Sequence, residues 1–225
     1  MIYILELYAM KFFDVDGALY KFMSRLLDML KLNILWIIFS LPIVTCGAAT
    51  VAAFKVTLRM VDDTEGYVAR QFIEAFKENW KQGIPLGLLA LLGSYVVYLD
   101  FELARVTEAD SAWFFAFGIL MIFLLVMGFI YAFPLSARYE NTLTGTIKNS
   151  IAIASRYFVR TIFLVVVLIV EYIIFMFNTT TMFFGILIGP ACFMLTISGF
   201  AIYFFREIEK EPGAVIENSK EEEES

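Results

Sequence analysis

The sequence predicts an all-α fold: a polytopic helical membrane bundle built from an N-terminal helical hairpin plus four transmembrane helices, five to six membrane helices in all. Three observations predict it. The 225 residues are 60% apolar, include 24 Phe and have a mean hydropathy of +0.77, which is more apolar surface than a soluble domain of this size has use for. Uncharged or singly charged runs over 83–99, 111–137, 161–177 and 182–205 fall in or above the roughly 17–25 residues that a helix needs to cross a bilayer. Lys and Arg gather on alternate connections: four across 138–160, one in 100–110 and none in 178–181. That alternation sets orientation in short loops.

Taken in order, residues 1–11 read as an N-terminal extension, with Met10-Lys11-Phe12-Phe13 a plausible alternative start, and no secretory signal pattern is visible. From Gly17 the spacing turns helical: Leu19, Phe22, Met23, Leu26, Leu27 and Leu30 recur every three or four residues. The uncharged run 32–54 follows, bulky before Pro42 and small after Gly47. It has two readings. One is a single kinked span; the other is a hairpin whose tight turn, Pro42–Gly47, packs into the protein centre. Pro42 removes a backbone donor and pushes Leu41 away from helical geometry, and the Thr45 or Ser40 hydroxyl can satisfy the freed carbonyl. Both flanks are basic, with Lys11, Lys21, Arg25 and Lys31 before and Lys55 and Arg59 after. A single span cannot place both on one side, whereas a hairpin can. Ala48/Ala52 and Ala49/Ala53 form a small-residue face suited to close helix approach.

Residues 62–66 form a turn. Over 67–80, Val68, Phe72, Phe76 and Trp80 make an i, i+4 stripe opposite Arg70, Glu74, Lys77 and Glu78, which predicts an amphipathic interfacial helix anchored through Phe72, Phe76 and Trp80. Residues 83–99 then span. Residues 100–110 form a solvated acidic loop holding Asp100, Glu102, Glu108 and Asp110, and 111–133 spans back, with Pro134 ending the helix. A polar, helical connection covers 139–157, and 161–177 and 182–205 make the last two spans about a turn at 178–181. Gly185, Gly189 and Pro190 bend or thin the final helix. An amphipathic lead-in, a span, a turn and a return occur at 67–137 and again at 139–206, a hint of internal duplication. The domain reading is therefore 1–11 extension, 12–206 a single integral membrane domain, and 207–225 an acidic disordered tail. That tail carries eight acids against two lysines and accounts for the whole net charge of −6, since the remainder holds 15 basic and 15 acidic side chains. The low pI thus describes the tail, and no basic face for nucleic acid is present.

The chain contains no histidine, which excludes His-based acid–base chemistry and His-bound metals. Cys46 and Cys192 each lie in an apolar run and read as packing residues. No nucleotide loop, nucleophile–base pair or metal cluster is recognisable, so neither enzyme activity nor a cofactor is expected. Glu171 is the candidate intramembrane functional residue: an ionised carboxylate at mid-bilayer costs roughly 2.5–3.5 kcal/mol, so it should face the bundle, be protonated, or reach Asn178 or Arg105.

The segments Leu32-Asn33-Ile34-Leu35-Trp36, Ser40-Leu41-Pro42-Ile43-Val44-Thr45-Cys46-Gly47-Ala48-Ala49 and Phe72 to Lys81 resemble the YesL-like family of bacterial membrane proteins, a family of unknown function. The resemblance covers roughly 12–206, and the Leu-Pro-Ile-Val-Thr-x-Gly-Ala stretch is its most specific part. It marks Asn33, Trp36, Pro42, Thr45 and Gly47 as a structural motif; Cys46 stands where an apolar residue is expected. It implies a Gram-positive plasma-membrane protein of five or six spans, encoded beside carbohydrate uptake and utilisation systems, and carries over no catalytic residue. Two function classes follow. One is an accessory or assembly component that meets the lipid bilayer and another membrane protein, such as a sugar-transporter subunit, with its N-terminus and tail cytoplasmic. The other is a small-solute or ion carrier.

Overall fold

The computed structural model describes residues 18–64, 66–106 and 111–210. The N-terminal extension, the tail beyond Lys210, Glu65, Glu108 and Asp110 lie outside the described residues. The described chain is helical throughout: α1 (Ala18–Ser40), a short 3-10 turn (Ile43–Thr45), α2 (Cys46–Val61), α3 (Val68–Val106), α4 (Ser111–Phe129), α5 (Ala132–Arg138), α6 (Leu143–Arg156), α7 (Phe158–Met176) and α8 (Thr179–Ile208). Five stretches are long and apolar enough to cross a membrane: Ile43–Val61, Val68–Val106, Trp113–Arg138, Phe158–Met176 and Thr179–Ile208. The fold is thus the expected helical membrane bundle.

The hairpin reading of 32–54 holds. α1 and α2 run antiparallel, since Trp36 donates to the Thr50 hydroxyl at 3.0 Å near the turn while Arg25 pairs with Asp63 at the open end. The expected burial of the turn is corrected. Leu41, Ile43 and Val44 are 75%, 71% and 52% exposed, and burial begins only at Gly47. The turn projects because Pro42 leaves the helix before α2 reaches its neighbours.

α2 is the axis of the bundle. Ala48, Ala49, Val51 to Phe54, Val56 and Thr57 are all buried, and the helix packs against α1, α3, α5 and α8. Lipid is as apolar as a Leu side chain, so helices in a bilayer associate through close packing and hydrogen bonds rather than by leaving water. Both occur here. Gly47 faces Gly83 and Gly87 of α3 backbone to backbone, and Thr57 shares a buried 2.7 Å hydrogen bond with Ser198 of α8. The small face of α2 was legible in the sequence. Its partner, the Gly83-x-x-x-Gly87 pair, was overlooked although it carries the same signal.

Three further boundaries differ from expectation. The amphipathic segment and first long span fuse into one 39-residue helix, α3, with Pro85 inside it. α3 also continues through the expected acidic loop, so Asp100 is buried in the helix rather than solvated, and Glu102 pairs with Arg105. Pro134 does not end a helix; it lies in the first turn of α5, where its missing N–H would have no helical partner anyway. The α3–α4 and α7–α8 hairpins match the two halves of the proposed duplication, except that the second lead-in, α6, is separated from α7 at Tyr157.

Candidate functional site

The motif residues act as joints. Thr45 donates its hydroxyl to the Phe39 carbonyl at 2.7 Å and the Pro42 carbonyl at 2.9 Å, sealing the hairpin turn. Neither hydroxyl takes the carbonyl that Pro42 frees, which belongs to Ile38 and accepts from the Leu41 N–H; Thr45 closes the turn elsewhere, and the buried Ser40 hydroxyl has no partner. Asn33, 1% exposed, sends its amide across to α8 and donates to the carbonyls of Ile186 and Leu187 at 2.9 and 2.8 Å. Pro190 explains that reach. It lies four residues after Ile186 and has no N–H to return, so the Ile186 carbonyl lacks its helical donor, and in lipid another part of the protein must supply one.

The stripe of Phe72, Phe76 and Trp80 needs correction. Phe72 is fully buried, and both phenylalanines pack edge-on against Phe39 of α1, with ring centroids 5.3 and 4.9 Å apart. The apolar face therefore carries the hairpin, and Trp80 alone is largely exposed, at 47%. Periodicity identified the apolar face but could not distinguish lipid from a neighbouring helix. Glu171, half-buried in α7, accepts a hydrogen bond from Thr196 of α8 at 3.1 Å. Neither Asn178, which caps α8 with Thr181, nor Arg105 is its partner.

One end of the bundle gathers charge. Arg206 pairs with Asp62, Arg138 with Glu209, and Arg160 with Glu207. Tyr139 donates to Glu209 at 2.5 Å, and burial pushes its phenol pKa up, with the neighbouring Glu209 adding to the shift. Beside this cluster a cavity of about 650 Å³ opens between α2, α3, α5 and the start of α6. Lys55, Lys81, Gln82, Ser136, Arg138 and Asn141 are among its lining residues. Gln82 crosses it to donate to the Asn141 carbonyl. Sequence reading missed the cavity because its residues come from four separate elements. Among the described residues, no group of three or more His, Cys, Asp or Glu could hold a metal ion.

Residues 29–101, from the middle of α1 to the far part of α3, match the family described as "Protein of unknown function, DUF624". The chain is also 27% identical over 145 residues to the "Uncharacterized protein YesL" of Bacillus subtilis (strain 168), covering 63% of this chain and 68% of that relative. These two matches make the chain similar to YesL and, over 29–101, to the DUF624 family. The matched segment contains all five motif residues and the Phe72–Trp80 stripe, together with the Gly47–Gly83–Gly87 contact; Glu171 lies outside it. No solved structure matches the chain.

Proposed function

We propose that this protein is an accessory membrane component of carbohydrate uptake that acts by binding another membrane protein, such as a sugar-transporter subunit, and neither carries solute nor catalyses a reaction. One observation supports this above all: the polar side chains that could line a solute path near mid-bilayer, Glu171, Thr196, Ser198, Ser94 and Gln82, are engaged within the chain. Thr196 holds Glu171, Ser198 meets Thr57, Ser94 returns to the Ala90 carbonyl, and Gln82 reaches Asn141. A carrier needs polar groups converging on its solute near mid-bilayer. The exposed apolar turn at Leu41, Ile43 and Val44 offers lipid or a partner a surface the chain itself does not cover. The link to carbohydrate uptake rests on the family resemblance. The same reading places the protein in the plasma membrane of a Gram-positive cell, with its N-terminus and acidic tail cytoplasmic; the paired charges at one end of the bundle favour that arrangement.

Reconstitution tests it. The purified protein alone in sealed vesicles should give no saturable sugar or ion flux, and crosslinking in native membranes should trap a transporter subunit at position 43 or 44. Saturable flux that vanishes in Glu171→Gln would overturn the reading in favour of a carrier.

A further inference from the structure

We infer that the cavity at the charged end binds a phosphate ester bearing free hydroxyl groups, either as a soluble polyol phosphate or as the glycerophosphate headgroup of a lipid. Its volume of about 650 Å³ lies within the roughly 300–1,000 Å³ usual for small-ligand sites. It is also built from residues that have something left to bind with. The Ser136 side chain is 2% exposed, lines the cavity and has no hydrogen-bond partner among the described residues. The Asn141 amide, lining the same cavity, is buried at both its oxygen and its nitrogen with neither partnered. Buried polar atoms are normally paired, and two such groups facing one space indicate a ligand that completes them.

The charge distribution gives the sign of that ligand. The lining carries Lys55, Lys81 and Arg138 against Glu78 and Glu140, an excess of one positive charge; Lys55 is paired with Glu78 and Arg138 with Glu209. Lys81 has no carboxylate within ion-pair distance among the described residues; it lies 5.9 Å from the Trp80 ring. The 14-residue α6 begins at the cavity, with Thr142 and Leu143 on its wall, so the positive end of its dipole faces the same space. An unpaired ammonium and a helix N-terminus call for an anion. The remaining groups call for more than an anion. Asn141 offers an acceptor as well as a donor, and Pro85, four residues after Lys81, deprives the Lys81 carbonyl of its helical donor. Phosphate oxygens only accept, whereas ligand hydroxyls also donate to such acceptors. The site stands where the charged part of α3 gives way to its uncharged run, the depth at which a headgroup would lie.

This site is independent of the accessory role and can fail separately. The test uses the full chain in nanodiscs. Binding of glycerol 3-phosphate, inorganic phosphate and glycerol is measured in zwitterionic discs, and retention of phosphatidylglycerol is measured by native mass spectrometry from mixed discs. Lys81→Gln and Ser136→Ala are compared with Lys77→Gln, an exposed lysine outside the cavity. Losing a hydrogen bond to a charged group should weaken binding about tenfold in Lys81→Gln, with a smaller loss in Ser136→Ala and none in Lys77→Gln. Glycerol 3-phosphate binding that follows this order supports a soluble ester. Phosphatidylglycerol retention that follows it, without binding of the soluble ester, supports a lipid headgroup. Equal binding of inorganic phosphate and glycerol 3-phosphate would overturn hydroxyl recognition. Binding of neither ligand, or equal binding by Lys81→Gln and wild type, would overturn the site.

Discussion

Placing a methyl group on Gly83 probes the contact on which the bundle is assembled. A Cβ built there would stand 2.6 Å from the Ala48 Cα and 3.0 Å from the Ala48 nitrogen, where ordinary contact begins near 3.4 Å. Both obstacles are backbone, so no side-chain rotation relieves them, and α2 and α3 must part by about 0.8 Å. A radial gap of that size forfeits roughly a quarter to a half of each dispersion contact along the seam. Overpacking of this kind costs about 1–3 kcal/mol, against which Ala in place of Gly returns at most about 1 kcal/mol of helix propensity. Gly199→Ala is the matched control, because a Cβ on Gly199 would meet nothing within 4 Å and only the propensity gain remains. Gly83→Ala is expected to lose about 2 kcal/mol, or about 4–8 °C in Tm for a chain of this length, while Gly199→Ala stays level or rises. Gly47→Ala and Gly87→Ala should each destabilise too, and their combination should cost less than the sum, since a seam opened once accommodates the second methyl. Thermal melting followed by size-exclusion in detergent reads all of these. A Gly83→Ala melting point at or above that of Gly199→Ala would refute the close-contact reasoning.

Asn33→Leu should destabilise by about 1–3 kcal/mol by orphaning the Ile186 carbonyl, and the loss should shrink in a Pro190→Ala background, where the helical N–H returns; a Tm cycle showing strict additivity would separate the two residues. Glu171→Gln should keep the Thr196 bond and fold normally, whereas Glu171→Lys should cut membrane yield sharply; equal yields would show the position open to water. Burial raises the Tyr139 phenol pKa, so the stability it contributes is complete below the ordinary value of about 10 and is lost as pH rises towards the folded-state value. Tyr139→Phe should therefore flatten the alkaline fall in Tm, and an unchanged slope would count against it. In a variant lacking Cys46 and Cys192, cysteines at positions 23 and 210 should react from one side of the membrane and cysteines at 103 and 177 from the other; labelling of 23 and 210 from opposite sides would exclude the hairpin.

What the sequence revealed depended on whether the signal was local. Pro42 between two basic flanks announced the hairpin, because charge placement and backbone chemistry are both written in neighbouring residues. The apolar stripe at Phe72 and Phe76 was equally plain, yet its destination was not, since a lipid tail and the Phe39 ring are alike to a periodicity argument. The fusion of the amphipathic segment with the span escaped for a related reason: the charged stretch ends at Lys81 and the uncharged run begins at Gly83, and that change of composition divides two elements on paper although one helix carries both. The cavity was out of reach. Lys55, Lys81 and the 136–141 stretch holding Ser136 and Asn141 lie far apart in sequence, and only the packing of α5 and the start of α6 against α3 brings them to one wall.

The three prolines that interrupt apolar helix or turn show how this chain tolerates broken backbone in a medium without water. At Pro42 the repair is local: the Leu41 N–H reaches the Ile38 carbonyl that Pro42 leaves without a donor, and the Thr45 hydroxyl ties the turn to the Phe39 carbonyl. At Pro190 it is distant, through Asn33 on another helix, and so it fixes α1 to α8 as well as satisfying a carbonyl. At Pro85 the carbonyl that loses its donor belongs to Lys81, beside the cavity where Ser136 and Asn141 also lack partners. The first two sites are completed by the protein itself. The third combines a helix break with unpartnered side chains and an unpaired cation, and the same rule that every buried backbone group must be satisfied assigns the completing group to a ligand.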